Sequence, residues 1–166
     1  MQERGVTVDS LSVRTEIEEL IKSLKLDRSA LYEVGKDQWK PILRGIEERF
    51  LVKTHHTQGL HWGWNRLQEP RHSASFADKN YAKLRDIIQD DSIWFMAEDL
   101  YDKLWLYEGK TATILQVIPE LCQLNEYYLI SKKLQWLLCE DHHDMLHLSG
   151  QPIIERWMRY EGLSQK

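Results

Sequence analysis

Ser92-Ile93-Trp94-Phe95-Met96-Ala97 and Lys103-Leu104-Trp105-Leu106-Tyr107 are two short runs rich in aromatic and large aliphatic residues, separated by Glu98-Asp99-Leu100-Tyr101-Asp102. Such runs, joined by a polar link of about five residues, predict a β-hairpin. A second pair, Glu126-Tyr127-Tyr128-Leu129-Ile130 and Leu134-Gln135-Trp136-Leu137-Leu138, flanks Ser131-Lys132-Lys133 and predicts another. Between them Thr111 to Leu124 reads as a helix that Pro119 ends or kinks.

Both faces of these strands are apolar. Ile93, Phe95 and Ala97 oppose Trp94 and Met96, Leu104 and Leu106 oppose Trp105 and Tyr107, and Leu134, Trp136 and Leu138 oppose Leu137 and Cys139. A sheet with one wet face alternates apolar with polar, so both faces here need a cover. Helices of the same chain are expected to supply it, the alternative being that a second copy or a partner protein closes one face. Val13, Ile17, Leu20, Ile21 and Leu24 recur at helical spacing, with Asp9, Ser10 and Ser12 as candidate caps. Trp39, Ile42, Leu43, Ile46 and Phe50 form a second stripe, with Asp37 as cap and Pro41 in the first turn. Phe76, Tyr81, Leu84, Ile87 and Ile88 mark a shorter helix, and Pro152 to Tyr160 a last one.

The expected fold is therefore α+β: an antiparallel sheet of about four strands, two hairpins joined by a helix, packed with N-terminal, middle and C-terminal helices. The N-terminal helix pair is expected on one face and the later helices on the other. One domain spans residues 1–166, with a helical part at 10–90, the hairpin-helix-hairpin part at 91–140 and the final helix at 152–160. A chain of 166 residues, 42% of them hydrophobic, can bury a core of its own.

Composition narrows the function classes. No apolar stretch reaches the roughly 20 residues of a membrane-spanning helix, and the start of the chain lacks the pattern of a secretory signal. The expected location is the cytoplasm. Cys122 and Cys139 are expected to be buried thiols rather than a bridge. A net charge of -4 with interspersed signs argues against nucleic acid and membrane surfaces as partners. Seven Trp and seven Tyr suit cores and protein interfaces alike.

Two histidine groups carry the candidate chemistry. His143 and His147 stand four apart after the last hairpin, so on a helical turn both would face one way, with Asp144 or Glu140 as a third metal ligand. His55, His56 and His61 lie in an irregular segment beside Trp62 and Trp64, where the rings either close the core or anchor a partner. If the two groups meet, they offer several nitrogen ligands or a general acid and base. The pattern lacks the glutamate that makes zinc-protease spacing specific, and phosphate loops and nucleophile elbows are absent.

Tyr127-Tyr128-Leu129-Ile130-Ser131-Lys132-Lys133 through Cys139-Glu140-Asp141-His142-His143-Asp144, preceded by Lys103 to Gly109, resembles a family of small bacterial proteins of unknown function. That resemblance implies a bacterial cytosolic source and no activity. The expected role is a non-enzymatic protein-binding module, immunity-like or regulatory, needing no cofactor and able to form a homodimer. The alternative is a metal-dependent, hydrolase-like protein built on the histidine cluster with a divalent ion.

Overall fold

The computed structural model describes residues 12–53 and 59–162. Five helices, α1 (Val13–Ser23), α2 (Lys36–Phe50), α3 (Tyr81–Ile87), α4 (Thr111–Val117) and α5 (Gln151–Tyr160), surround one sheet. Its strands are β1 (Leu31–Glu33), β2 (Arg71–Ser75), β3 (Ser92–Asp99), β4 (Leu104–Lys110), β5 (Leu124–Ser131), β6 (Leu137–Glu140) and β7 (Met145–Ser149). All pairs are antiparallel, in the order β1-β4-β3-β5-β6-β7-β2.

The α+β class holds, but the sheet has seven strands rather than about four. The three extra strands escaped because they carry weak patterns. β1 is three residues long, β2 reads Arg71-His72-Ser73-Ala74-Ser75 with little apolar content, and β7 lies within the polar stretch that follows β6. Pairing with neighbours, rather than intrinsic preference, makes these segments strands.

The strand parity read from sequence matches the two cores except at Leu134: the strand expected over 134–138 runs Leu137–Glu140 instead, and Leu134 lies in the turn before it, on the other face from Trp136. Ile93, Phe95, Ala97, Tyr107, Tyr127, Leu129, Leu138, Leu146 and Leu148 face α1, α3, α4 and α5 through Ile17, Leu84, Ile114 and Trp157. Met96, Leu106, Tyr128, Ile130, Leu137 and Cys139 face α2 and the segment around Leu60 and Leu67. The helices divide differently from expectation: α1 joins the later helices, and α2 alone shares its face with an irregular segment. Gly109 explains how β1 fits at the edge, since a side chain there would drive a Cβ to 2.3 Å from the Ala30 carbonyl oxygen.

Ser12 caps α1, its Oγ accepting from the Thr15 N–H at 3.2 Å. In α2 the cap is Gly35, not Asp37, so Pro41 sits past the first turn. The helix before Pro119 ends as expected, passing into a 3-10 turn at Ile118–Glu120. Among the described residues no helix is long and apolar enough to cross a membrane.

Candidate functional site

Antiparallel pairing brings the end of β3, the start of β5, the end of β6 and the start of β7 to one end of the sheet. Five carboxylates are buried there: Glu98, Asp99, Glu126, Glu140 and Asp141. Acids are almost never fully buried unless paired, so each one asks what holds it.

Three are well held. Asp99 organises the β3–β4 turn, accepting from the N–H groups of Tyr101 (2.8 Å) and Lys103 (3.1 Å) and from Trp105 Nε1 (3.3 Å). Asp141 does the same for the β6–β7 turn, accepting from His143 N (2.8 Å) and Met145 N (3.1 Å), while Oδ2 bonds His147 Nε2 at 2.8 Å. Burial raises the Asp141 pKa, but those bonds outweigh it and hold the carboxyl below its ordinary value. Glu140, on the face of α1, meets the Lys79 ammonium with one oxygen and accepts from Tyr127 Oη (2.6 Å) with the other.

Glu98 and Glu126 differ. They are register partners on β3 and β5, on the face of α2, 0% and 1% exposed. Glu98 Oε1 lies 3.1 Å from His61 Nδ1; Glu126 Oε1 lies 2.5 Å from His142 Nδ1 and accepts from Trp64 Nε1 at 3.1 Å. The second oxygen of each, Oε2, has no hydrogen-bond partner; they are the only such buried side-chain atoms among the described residues. Burial, then the neighbouring Glu126 charge, pushes the Glu98 pKa up to about 7, with His61 opposing.

The segment from Gly59 to Leu67 delivers His61 and Trp64 to this end. Leu60 and Leu67 are buried against the α2 core, and Tyr128 Oη donates to the Leu60 carbonyl (2.8 Å) while accepting from Trp64 N (3.2 Å). Arg66 closes the loop on the Gly59 carbonyl at 2.5 Å. Trp62 takes the left-handed conformation (φ 51°) and stacks on His61, centroids 5.1 Å apart. Trp64 is the hub: it stacks on His147 at 5.0 Å and meets His142 and His143 edge-on at 6.3 Å each. His61 Nδ1 or Nε2, a Glu98 oxygen and an Asp102 oxygen all lie within 4.8 Å of one another.

The two histidine groups named from sequence thus do meet at one end of the sheet, through Trp64 and the Glu98–Glu126 pair. Their details differ from expectation. Residues 142–147 form a turn and the start of β7, so His143 and His147 share no helical face. His143 is exposed in the turn; both nitrogens of His147 are engaged, Nε2 by Asp141 and Nδ1 by Ser73 Oγ at 2.8 Å. Asp144 pairs with Lys79 at 2.6 Å. His55 and His56 lie outside the described residues. Trp62 is exposed and Trp64 half-buried. Leu134 joins the α2 core rather than the side of Trp136. Cys139 is buried, as expected, and burial followed by the Glu126 charge pushes its thiol well up; Cys122 is exposed, contrary to expectation.

Glu98, Glu126, Asp102 and Ser73 were missed. The first two had a signal: carrying the alternation Trp94, Met96 one step further puts Glu98 on a covered face, and Tyr128 and Ile130 imply the same for Glu126. Ser73 and Asp102 had none, because only the fold brings them to His147 and His61.

The model of a family of unknown function, DUF6756, matches residues 9–161, and the chain belongs to that family. No curated protein matches it.

Proposed function

We propose, from a family membership that supplies no activity, that the chain is a protein-binding module, immunity-like or regulatory, whose binding face is the acidic end of the sheet. One observation carries the reading. Three large apolar side chains that a folded protein normally hides, Trp62 (48% exposed), Leu100 (56%) and Tyr101 (52%), border the buried carboxylates. Trp62 stacks on His61, His61 lies within 4.8 Å of Asp102, and Leu100 and Tyr101 immediately precede Asp102. Aromatic anchors around a charged centre are the usual anatomy of an interface core.

The exposed Asp102 between these side chains favours a partner that presents a cationic group there, with charge setting approach and apolar contact setting lifetime. Two free cysteines support a reducing bacterial cytosol as the place where this happens. A second copy of the chain is the competing partner.

The test is affinity capture from the source organism with wild type and with Trp62→Ala/Tyr101→Ala. Both side chains are half exposed, so the variant keeps its fold; we expect one basic protein recovered with wild type and reduced about 30-fold with the variant, the size of a hot-spot loss. Recovery that is equal for both proteins overturns the reading. Light scattering separates the homodimer: a monomer at high protein concentration removes it.

A hydrolytic reading has one specific observation behind it. Asp141, His147 and Ser73 stand in the order carboxylate, imidazole, hydroxyl, each link 2.8 Å, and Ser73 lines a cleft of about 440 Å³ with Trp64, Asn65, Arg71 and His72. In that reading His147 Nδ1 takes the Ser73 proton as Oγ attacks an ester carbonyl, then returns it to the leaving alcohol. Against it, Ser73 and His147 are direct register partners on β2 and β7, and a cross-strand pair makes this bond without catalysis. A fluorophosphonate adduct on Ser73 supports the hydrolase; no adduct and no ester turnover removes it.

A further inference from the structure

The Glu98–Glu126 pair calls for something that Asp99, Glu140 and Asp141 do not. Two carboxylates on adjacent strands, both inaccessible to solvent, each keep one oxygen without a partner. Leaving such a group unsatisfied costs on the order of 1–3 kcal/mol, more when it is charged. Among the described residues no ammonium or guanidinium bonds either one; their side-chain partners are His61, His142 and Trp64. The donors within reach are instead oxygen and imidazole nitrogen, the set that takes first-row divalent cations.

We propose that a divalent first-row cation, of which zinc is the probe, binds at the end of the sheet to His61, Glu98 and Asp102, with Glu126 as the adjacent carboxylate whose charge it offsets. Several features fit. Ligand atoms of the first three residues already lie within 4.8 Å of one another, close to what a shared ion needs before its ligands draw in. Glu126 is held in place by Trp64 Nε1 and His142 Nδ1, as carboxylates beside metal centres commonly are. Asp102 is exposed, which gives an ion a way in and leaves coordination positions for water. Burial of Glu98 and Glu126 also favours a small ion over the bulky cationic side chain of a partner.

The site differs from the one the histidine spacing suggested, since His143, His147 and Asp144 take no part. It also goes beyond partner binding. The ion joins the β3–β4 turn, which carries Leu100 and Tyr101, to the segment that carries Trp62. It would fix the three exposed side chains relative to one another, and either claim can fail without the other.

The experiment is calorimetric titration of zinc into the full chain after chelator treatment and dialysis, at about pH 7.5, where carboxylates and imidazoles are largely free of protons. The expected result is one ion per chain with a Kd of about 1 μM or below, weakened roughly 100-fold in Glu98→Gln and about tenfold in Asp102→Asn. His143→Ala, whose exposed ring is in the turn, should bind as wild type. Asp102→Asn guards against misfolding, because the position is exposed and asparagine accepts its left-handed backbone (φ 62°). Absence of saturable binding overturns the proposal. So does binding that survives both carboxylate substitutions and falls with His143→Ala, which would put the ion on the turn imidazoles.

Discussion

Two buried glutamates at the same end of one sheet live on opposite faces and differ in what surrounds them. Glu140, on the face of α1, has both oxygens occupied, by the Lys79 ammonium and the Tyr127 hydroxyl. Glu98, on the face of α2, has one oxygen beside His61 and another with no partner, and Glu126 next to it repeats the pattern. Burial alone therefore does not mark a functional acid. A carboxylate whose lone pairs are all used is part of the frame; one left partly unsatisfied beside a second acid is poised for a ligand.

The same isosteric substitution at the two positions should have opposite signs. Glu140→Gln replaces an acceptor of an ion pair and a phenol bond by an amide, and we expect a loss of about 2 kcal/mol in chemical denaturation. The exposed half of Lys79 keeps the figure below that of a fully buried pair. An unchanged midpoint would break the contrast.

Glu98→Gln should stabilise the metal-free protein, by an amount that appears above about pH 4.5 and is largest from about pH 7 upward. The folded-state pKa of Glu98 is raised to about 7 from an ordinary 4.5, so the folded chain holds a proton that the unfolded chain releases. Its contribution is fully present below about pH 4.5 and is lost as pH rises through about 7, a change of about 3 kcal/mol. Glu126, His61, Asp102 and His142 surround the group, so the quantity to measure is the difference between wild type and variant. We expect that difference to grow with pH between these limits. A difference flat in pH would contradict the account.

Trp64→Phe sharpens the same comparison on the Glu126 side. It keeps most of the stacking on His147 but removes the Nε1 bond to Glu126, and about 1 kcal/mol should be lost. Thermal unfolding of the variant beside Trp62→Phe, whose ring is exposed and should change little, isolates that bond.

How far the sequence announced all this depends on the element. The central strands β3, β4 and β5 were legible because apolar residues on both faces leave a strong signal, and their parity sorts residues between the two cores; β6 was placed three residues early, which put Leu134 on the wrong face. β2 and β7 were not legible, since Arg71 to Ser75 and the residues after His143 become strands through pairing with each other. The histidines drew attention rightly, yet spacing misread their geometry. A four-residue interval implies a shared side only within one regular helix or strand, and here it runs from a turn into a strand. The acids that make the site were read as ends of strands or as loop because charge in sequence says nothing about burial. Only the β3–β5 register shows that Glu98 and Glu126 stand side by side.

The contrast comes down to whether Glu98 behaves as an unsatisfied acid. Carbon-13 NMR of side-chain-labelled glutamate, with Glu98 assigned through Glu98→Gln, follows its carboxyl through a pH titration of the chelator-treated full chain. The account predicts a midpoint at about 7, which moves down when zinc is added. A midpoint near the ordinary 4.5, unmoved by zinc, would contradict it.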